Sequence, residues 1–94
     1  MPEVIFKVRW PDQTTADYYS PSTAVHAHLA VGHSYTLEEF LTRSRTAMLA
    51  ASERVRAKYG YTCSSAMDTL GEIESRVGEF RGWAEARVVV VGFG

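Results

Sequence analysis

The chain has one cysteine, Cys63, and three histidines, His26, His28 and His33. Any thiol chemistry would be built from these four side chains. Cys63 lies in "YGYTCSSAMDTL", just after Gly60, which has the character of a helix end. An early position in the following helix would let the N-terminal dipole stabilise a thiolate and draw its pKa below about 8.5. The opposing reading is geometric. Counted from position 63, Met67, Leu70, Ile73 and Val77 fall on the same helical face. A cysteine on an apolar stripe more often packs as a small hydrophobe than attacks a substrate. A thiol nucleophile also needs a positioned base, and nothing in the sequence brings the segment carrying the histidines to position 63. Cys63 stands as the one catalytic candidate, with core packing the preferred reading.

Metal chemistry finds less support. His26 and His28 share a face only in extended chain, because helical residues two apart point about 200° apart. Neither Cys-x-x-Cys nor His-x-x-x-His occurs, so no metal site and no cofactor is expected. The stretches "GHS" and "GEF" lack the spacing of a phosphate loop, and Gly-x-Ser-x-Gly is missing.

Binding chemistry is better represented. Arg43, Arg45, Arg54, Arg56 and Lys58 make up half of the ten basic residues. At 100° per residue, Arg43 and Arg54 flank one edge of an apolar stripe, and Arg45 and Arg56 flank the other. That pattern fits guanidinium stems covering a seam or a charged rim around a partner surface. Glu39–Arg43 and Glu53–Arg56 spacings would use part of this charge internally. Trp10 and Tyr19 join the four arginines as interface candidates, since Trp and Tyr favour interfaces as well as cores.

These residues need elements to hold them. "EVIFKVRW" alternates, with Val4, Phe6, Val8 and Trp10 on one side and Lys7 and Arg9 on the other, which predicts a half-buried strand. A turn at "PDQ" leads into a returning strand, "TTADYY". Ser20 and Pro21 predict the start of a short helix carrying Val25 and Leu29, ended by Gly32. Thr36 and Glu39 form a capping box ahead of a long helix whose stripe is Leu37, Phe40, Leu41, Met48, Val55 and Tyr59, with Gly60 at its end. Thr62 would cap a second helix bearing Met67, Leu70, Ile73 and Val77, antiparallel to the first. "EARVVVVGFG" closes as a strand whose four valines predict burial on both faces. The expected fold is one α+β domain over residues 1–94, in the order β-β-(short α)-α-α-β. A three-stranded sheet, the N-terminal hairpin plus the C-terminal strand, is packed on one face by the helical hairpin, with the last strand beside the first.

Composition narrows the function classes. A net charge of −1 and a pI near 6.3 exclude the basic footprint of a nucleic-acid-binding domain. No apolar run is long enough to cross a bilayer, and "MPEVIFKVRWPD" lacks a leader-like pattern. A single cysteine forms no internal disulfide, which suits the reducing cytoplasm. The expectation is a cytoplasmic protein that binds neither nucleic acid nor membrane.

Four stretches carry a family resemblance: "YSPS" (19–22), "RSRTA" (43–47), "ASERVRAKYGYTCSSA" (51–66) and the opening "MPE-x-x-F-x-V-RWPD". Together they resemble small bacterial nitrogen-starvation-response proteins encoded in clusters beside a nitrilase, a flavoprotein, a radical-SAM protein and an acetyltransferase-like protein. The resemblance implies a role in assimilating nitrogen from nitriles or cyanide when ammonium is scarce. It implies no assigned reaction and no defined catalytic residue. Two readings follow. The preferred one is a non-enzymatic accessory protein with a protein partner from the same gene cluster, or a homo-oligomer. The alternative is a thiol-dependent enzyme or carrier using Cys63, with His26, His28 or His33 as base.

Overall fold

A computed structural model of the chain describes residues 3–60 and 64–93. Strand β1 (Val4–Arg9) follows its alternation: Val4, Phe6 and Val8 are buried, while Ile5, Lys7 and Arg9 are exposed. The Pro11–Asp12 turn is held by Asp12 Oδ1, which accepts from the Thr14 N–H at 3.0 Å and the Thr14 hydroxyl at 2.6 Å. Strand β2 (Thr15–Ser20) then returns antiparallel, pairing Val4 with Ser20 through to Arg9 with Thr15.

The sheet has four strands, correcting the expected three. The extra strand, β3 (Ser34–Thr36), runs antiparallel to β4 (Arg87–Phe93), with Tyr35 opposite Val88. The order is β2-β1-β4-β3, so the last strand does lie beside the first. Three residues are too few for alternation to show in a sequence, and the pairing is lengthened from outside the strand. Gly32, at φ +82°, donates its N–H to the Val90 carbonyl at 2.8 Å.

The valine run is corrected too. Val88 and Val90 are buried, but Val89 and Val91 keep intermediate exposure. Both helices cover the same face, so four valines in a row mark a central strand without marking two-sided cover. The short helix is a 3₁₀ turn, Thr23–Ala27, starting later than "SPS" suggested. Its cap is Ser22, whose Oγ accepts from the Ala24 N–H at 3.1 Å, while Ser20 Oγ donates to the Ser22 carbonyl at 2.7 Å. Val25 and Leu29 are buried, as their spacing predicted.

Helix α1 (Leu37–Tyr59) has both arms of its capping box: the Glu39 N–H donates to Thr36 Oγ1 and the Thr36 N–H to Glu39 Oε1. It ends at Gly60, in the left-handed region at φ 78°, where a side chain would be strained. Helix α2 (Ser65–Glu79) lies antiparallel to it, tied by Arg45–Glu74 at 3.1 Å. Beyond the helix, Arg81 meets Glu38 at 2.7 Å. The expected cap at Thr62 lies outside the described residues. Ser44, Ala47 and Ala51 are fully buried along α1, where small side chains permit close approach. Ser44 Oγ finds no hydrogen-bond partner there.

Trp10 anchors the core at 1% exposure. Its ring meets Phe40 edge-on at 5.6 Å, stacks on Phe80 at 5.8 Å, and donates Nε1–H to Tyr18 Oη at 3.1 Å. Such contacts contribute beyond the area they bury, by about 0.5–1.5 kcal/mol each.

Candidate functional site

The residues singled out by type do not converge on one place. Cys63 lies outside the described residues. His26 sets its ring against Phe93 at 4.3 Å, and His33 against Tyr35 at 4.4 Å. His28 caps the 3₁₀ turn through its backbone, and its carbonyl accepts from Arg43 Nη1 at 3.2 Å. Among the described residues, no three His, Cys, Asp or Glu side chains are grouped to hold a metal.

Two of the four α1 arginines, Arg43 and Arg45, brace the molecule. Arg43 lies over the Tyr35 ring at 5.4 Å while holding His28, so it fastens the 3₁₀ segment to the helix rather than pairing with Glu39. Arg45 crosses to α2, and Arg56 pairs with Glu53 as its spacing predicted. Arg54 is exposed and makes no ion pair among the described residues. Trp10 is sealed inside the core. Tyr19 is half-buried on β2, and its carbonyl accepts from Thr69 Oγ1 of α2 at 2.7 Å.

Two surfaces of the sheet are concave. One is a trough of about 870 Å³ between β2 and α2, carrying Asp17, Asp68, Glu72 and Arg76. Its acids sit at exposed positions, where water screens them. Arg76 is committed inward: it donates to Thr14 Oγ1 at 2.8 Å and Glu79 at 3.0 Å, reaches Asp12 at 3.5 Å, and covers the Trp10 and Phe80 rings. The Thr14 hydroxyl and N–H, with help from Arg76, hold the Asp12 carboxyl below its ordinary range. Burial pushes the Tyr18 phenol up, which keeps it neutral as the acceptor for Trp10. This end of the molecule is a structural clasp joining the hairpin turn to α2.

The other surface is the sheet face opposite the helices. Alternation places Ile5, Lys7 and Arg9 of β1 there, with Asp17 and Tyr19 of β2 and Val89 of β4. Ile5 is 39% exposed. Antiparallel sheets that face water usually do so with polar side chains, so a central strand showing valines is a departure from that rule. The register slips between Lys7 and Val8, so Lys7 faces Gly92 and Val8 faces Val90, leaving Val91 as the extra residue of a bulge. The missing side chain at Gly92 leaves a notch of about 500 Å³ bordered by Ile5, Lys7, Asp17 and Phe93. A Cβ built on Gly92 would meet no atom within 4 Å.

Sequence reasoning missed Ile5, Val89, Val91 and Gly92 as surface residues. Ile5 was legible, standing on the outward side of the β1 alternation. Gly92 was not, because the notch depends on cross-strand register.

A family model described as nitrogen starvation-induced protein NitG matches residues 5–93, and so takes in all four strands and both helices. The chain belongs to that family. No curated protein and no solved structure gives a significant match to it. Membership attaches the fold to a condition, nitrogen starvation, and bears out that part of the resemblance. No described helix is long and apolar enough to cross a membrane; even α1, at 23 residues, is studded with arginines and glutamates.

Proposed function

We propose that this member of the NitG family is a non-enzymatic accessory protein of the nitrogen-starvation response, acting in the cytoplasm. It binds a protein partner through the open face of its sheet. The setting is the one the sequence resemblance implies: assimilation of nitrogen from nitriles or cyanide, alongside a nitrilase encoded in the same cluster. The carrying observation is Ile5 of β1, 39% exposed, and the half-exposed Val89 of β4 on the side of the sheet that neither helix covers, with the half-exposed Val91 at the bulge between their levels. Apolar surface left in water forgoes about 25 cal/mol per Å², which a partner recovers on binding. The arginines support the same reading from the other side, since Arg43 and Arg45, two of the four candidates on α1, brace the fold.

The test separates this reading from a thiol enzyme. A strain lacking the gene is grown with a nitrile or cyanide as nitrogen source and complemented with Val91→Lys or with Cys63→Ala. Both proteins are first checked for wild-type circular dichroism and thermal midpoint. The accessory reading expects Cys63→Ala to support growth and Val91→Lys to fail. The opposite pattern would move the function to the thiol.

A further inference from the structure

We propose that the occupant of the open sheet face is a second copy of this chain, stacked on it about a two-fold axis. This rests on the accessory reading above and names its partner. The charges on β1 are arranged along its length. Glu3, exposed just ahead of the strand, continues the outward side of the alternation, and Ile5, Lys7 and Arg9 follow. The face is therefore acidic at one end of β1 and basic at the other, with Ile5 and the opposed Lys7 and Asp17 between.

A face that meets its own copy must be self-complementary. Consider a two-fold axis lying between two stacked sheets and crossing β1 at the level of Phe6. It reverses the strand, setting residue 3 of one copy over residue 9 of the other, and residue 5 over residue 7. Glu3 then meets the second copy's Arg9. Ile5 arrives at the level of Lys7, which β4 occupies with Gly92. That level holds the notch. One symmetry operation thus opposes the charges at the ends of β1 and brings Ile5, 39% exposed, to the notch level beside the other copy's Lys7 and Gly92.

Size agrees with a reversible dimer. Strands about 4.8 Å apart, with roughly 3.3 Å per residue, give a face about 20 Å on each side. Two such faces cover about 800 Å², within the range of weak, transient encounters. An interface that small suits a dissociation constant of about micromolar order. The Glu3–Arg9 contacts sit at the rim, so salt weakens them.

Sedimentation equilibrium of the full chain, from about 5 μM to about 500 μM, tests this with four proteins. Wild type is expected to rise from 10.5 kDa toward twice that mass. Arg9→Glu sets like charges against Glu3 of the other copy and is expected to weaken association at least about tenfold. The double variant Glu3→Arg with Arg9→Glu restores it, because the swapped charges again oppose one another. Gly92→Leu puts a side chain into the notch from a position where a Cβ meets no atom within 4 Å, and is expected to stay at 10.5 kDa. Wild type that remains monomeric throughout, or a charge swap that fails to restore association while keeping the wild-type thermal midpoint, overturns the proposal. Should wild type stay monomeric while Val91→Lys still fails to support growth, self-association is wrong and the accessory reading stands. Should it dimerise while Val91→Lys still supports growth, the accessory reading is the one that fails.

Discussion

The two faces of the sheet are made by the same strands and have opposite fates. On one, Phe6, Val8, Val88 and Val90 are fully buried beneath α1, α2 and the Trp10 cluster. On the other, Ile5, Val89 and Val91 stand one residue away in sequence and keep contact with water. Composition does not separate the faces, since valine occupies both. What separates them is that both helices and the 3₁₀ turn were spent on a single side. Arg43, Arg45, Arg76 and Arg81 then lock those elements there through His28, Glu74, Asp12, Glu79 and Glu38. The lesson is that stability and function are divided between the faces.

The sharpest way to break that division is to truncate neighbours on opposite faces. Phe6→Ala empties a site in the closed core and is expected to lower unfolding free energy by about 3–5 kcal/mol. Ile5→Ala, one residue earlier, is expected to cost under about 1 kcal/mol in the dilute monomer, because the side chain is already 39% exposed. Urea denaturation of both variants measures the contrast, and equal losses would mean that the open face is as structural as the closed one.

A smaller effect sharpens the covered side. Ser44 Oγ is fully buried on α1 without a hydrogen-bond partner, so its hydroxyl carries a desolvation cost with no return. Ser44→Ala keeps the small volume that close packing requires and is expected to raise stability by about 1 kcal/mol, read as a higher urea midpoint at unchanged slope. A loss of stability would show that the hydroxyl is bonded after all.

How much of this was legible follows from how local each signal is. Thr36, Glu39 and Gly60 act within one helical turn of the ends they define, and the 23-residue helix was readable from them. Strand β3 was not readable, because three residues carry no period and its pairing is supplied by β4, more than fifty positions away. The run Val88–Val91 gave the right strand and the wrong cover, since a sequence registers apolarity and not which side the helices choose. Arg43 looked like one half of a Glu39 pair. Its actual partner, the His28 carbonyl, is fifteen residues away and appears only once the 3₁₀ turn packs on α1. The candidate site was the least legible part. Of its interface candidates, Arg43 and Arg45 brace the fold and Trp10 is core. The notch at Gly92 arises from a register slip that no single strand encodes.

The face carrying Ile5 and Val89, with Val91 at its bulge, is open in the lone chain and covered when the protein is engaged. Methyl NMR with a neutral soluble nitroxide reads this directly. In a dilute sample the Ile5, Val89 and Val91 methyls are expected to broaden strongly while those of Val88 and Val90 stay sharp, and raising the protein concentration is expected to protect the first group. Equal protection of both groups at dilution would contradict the account.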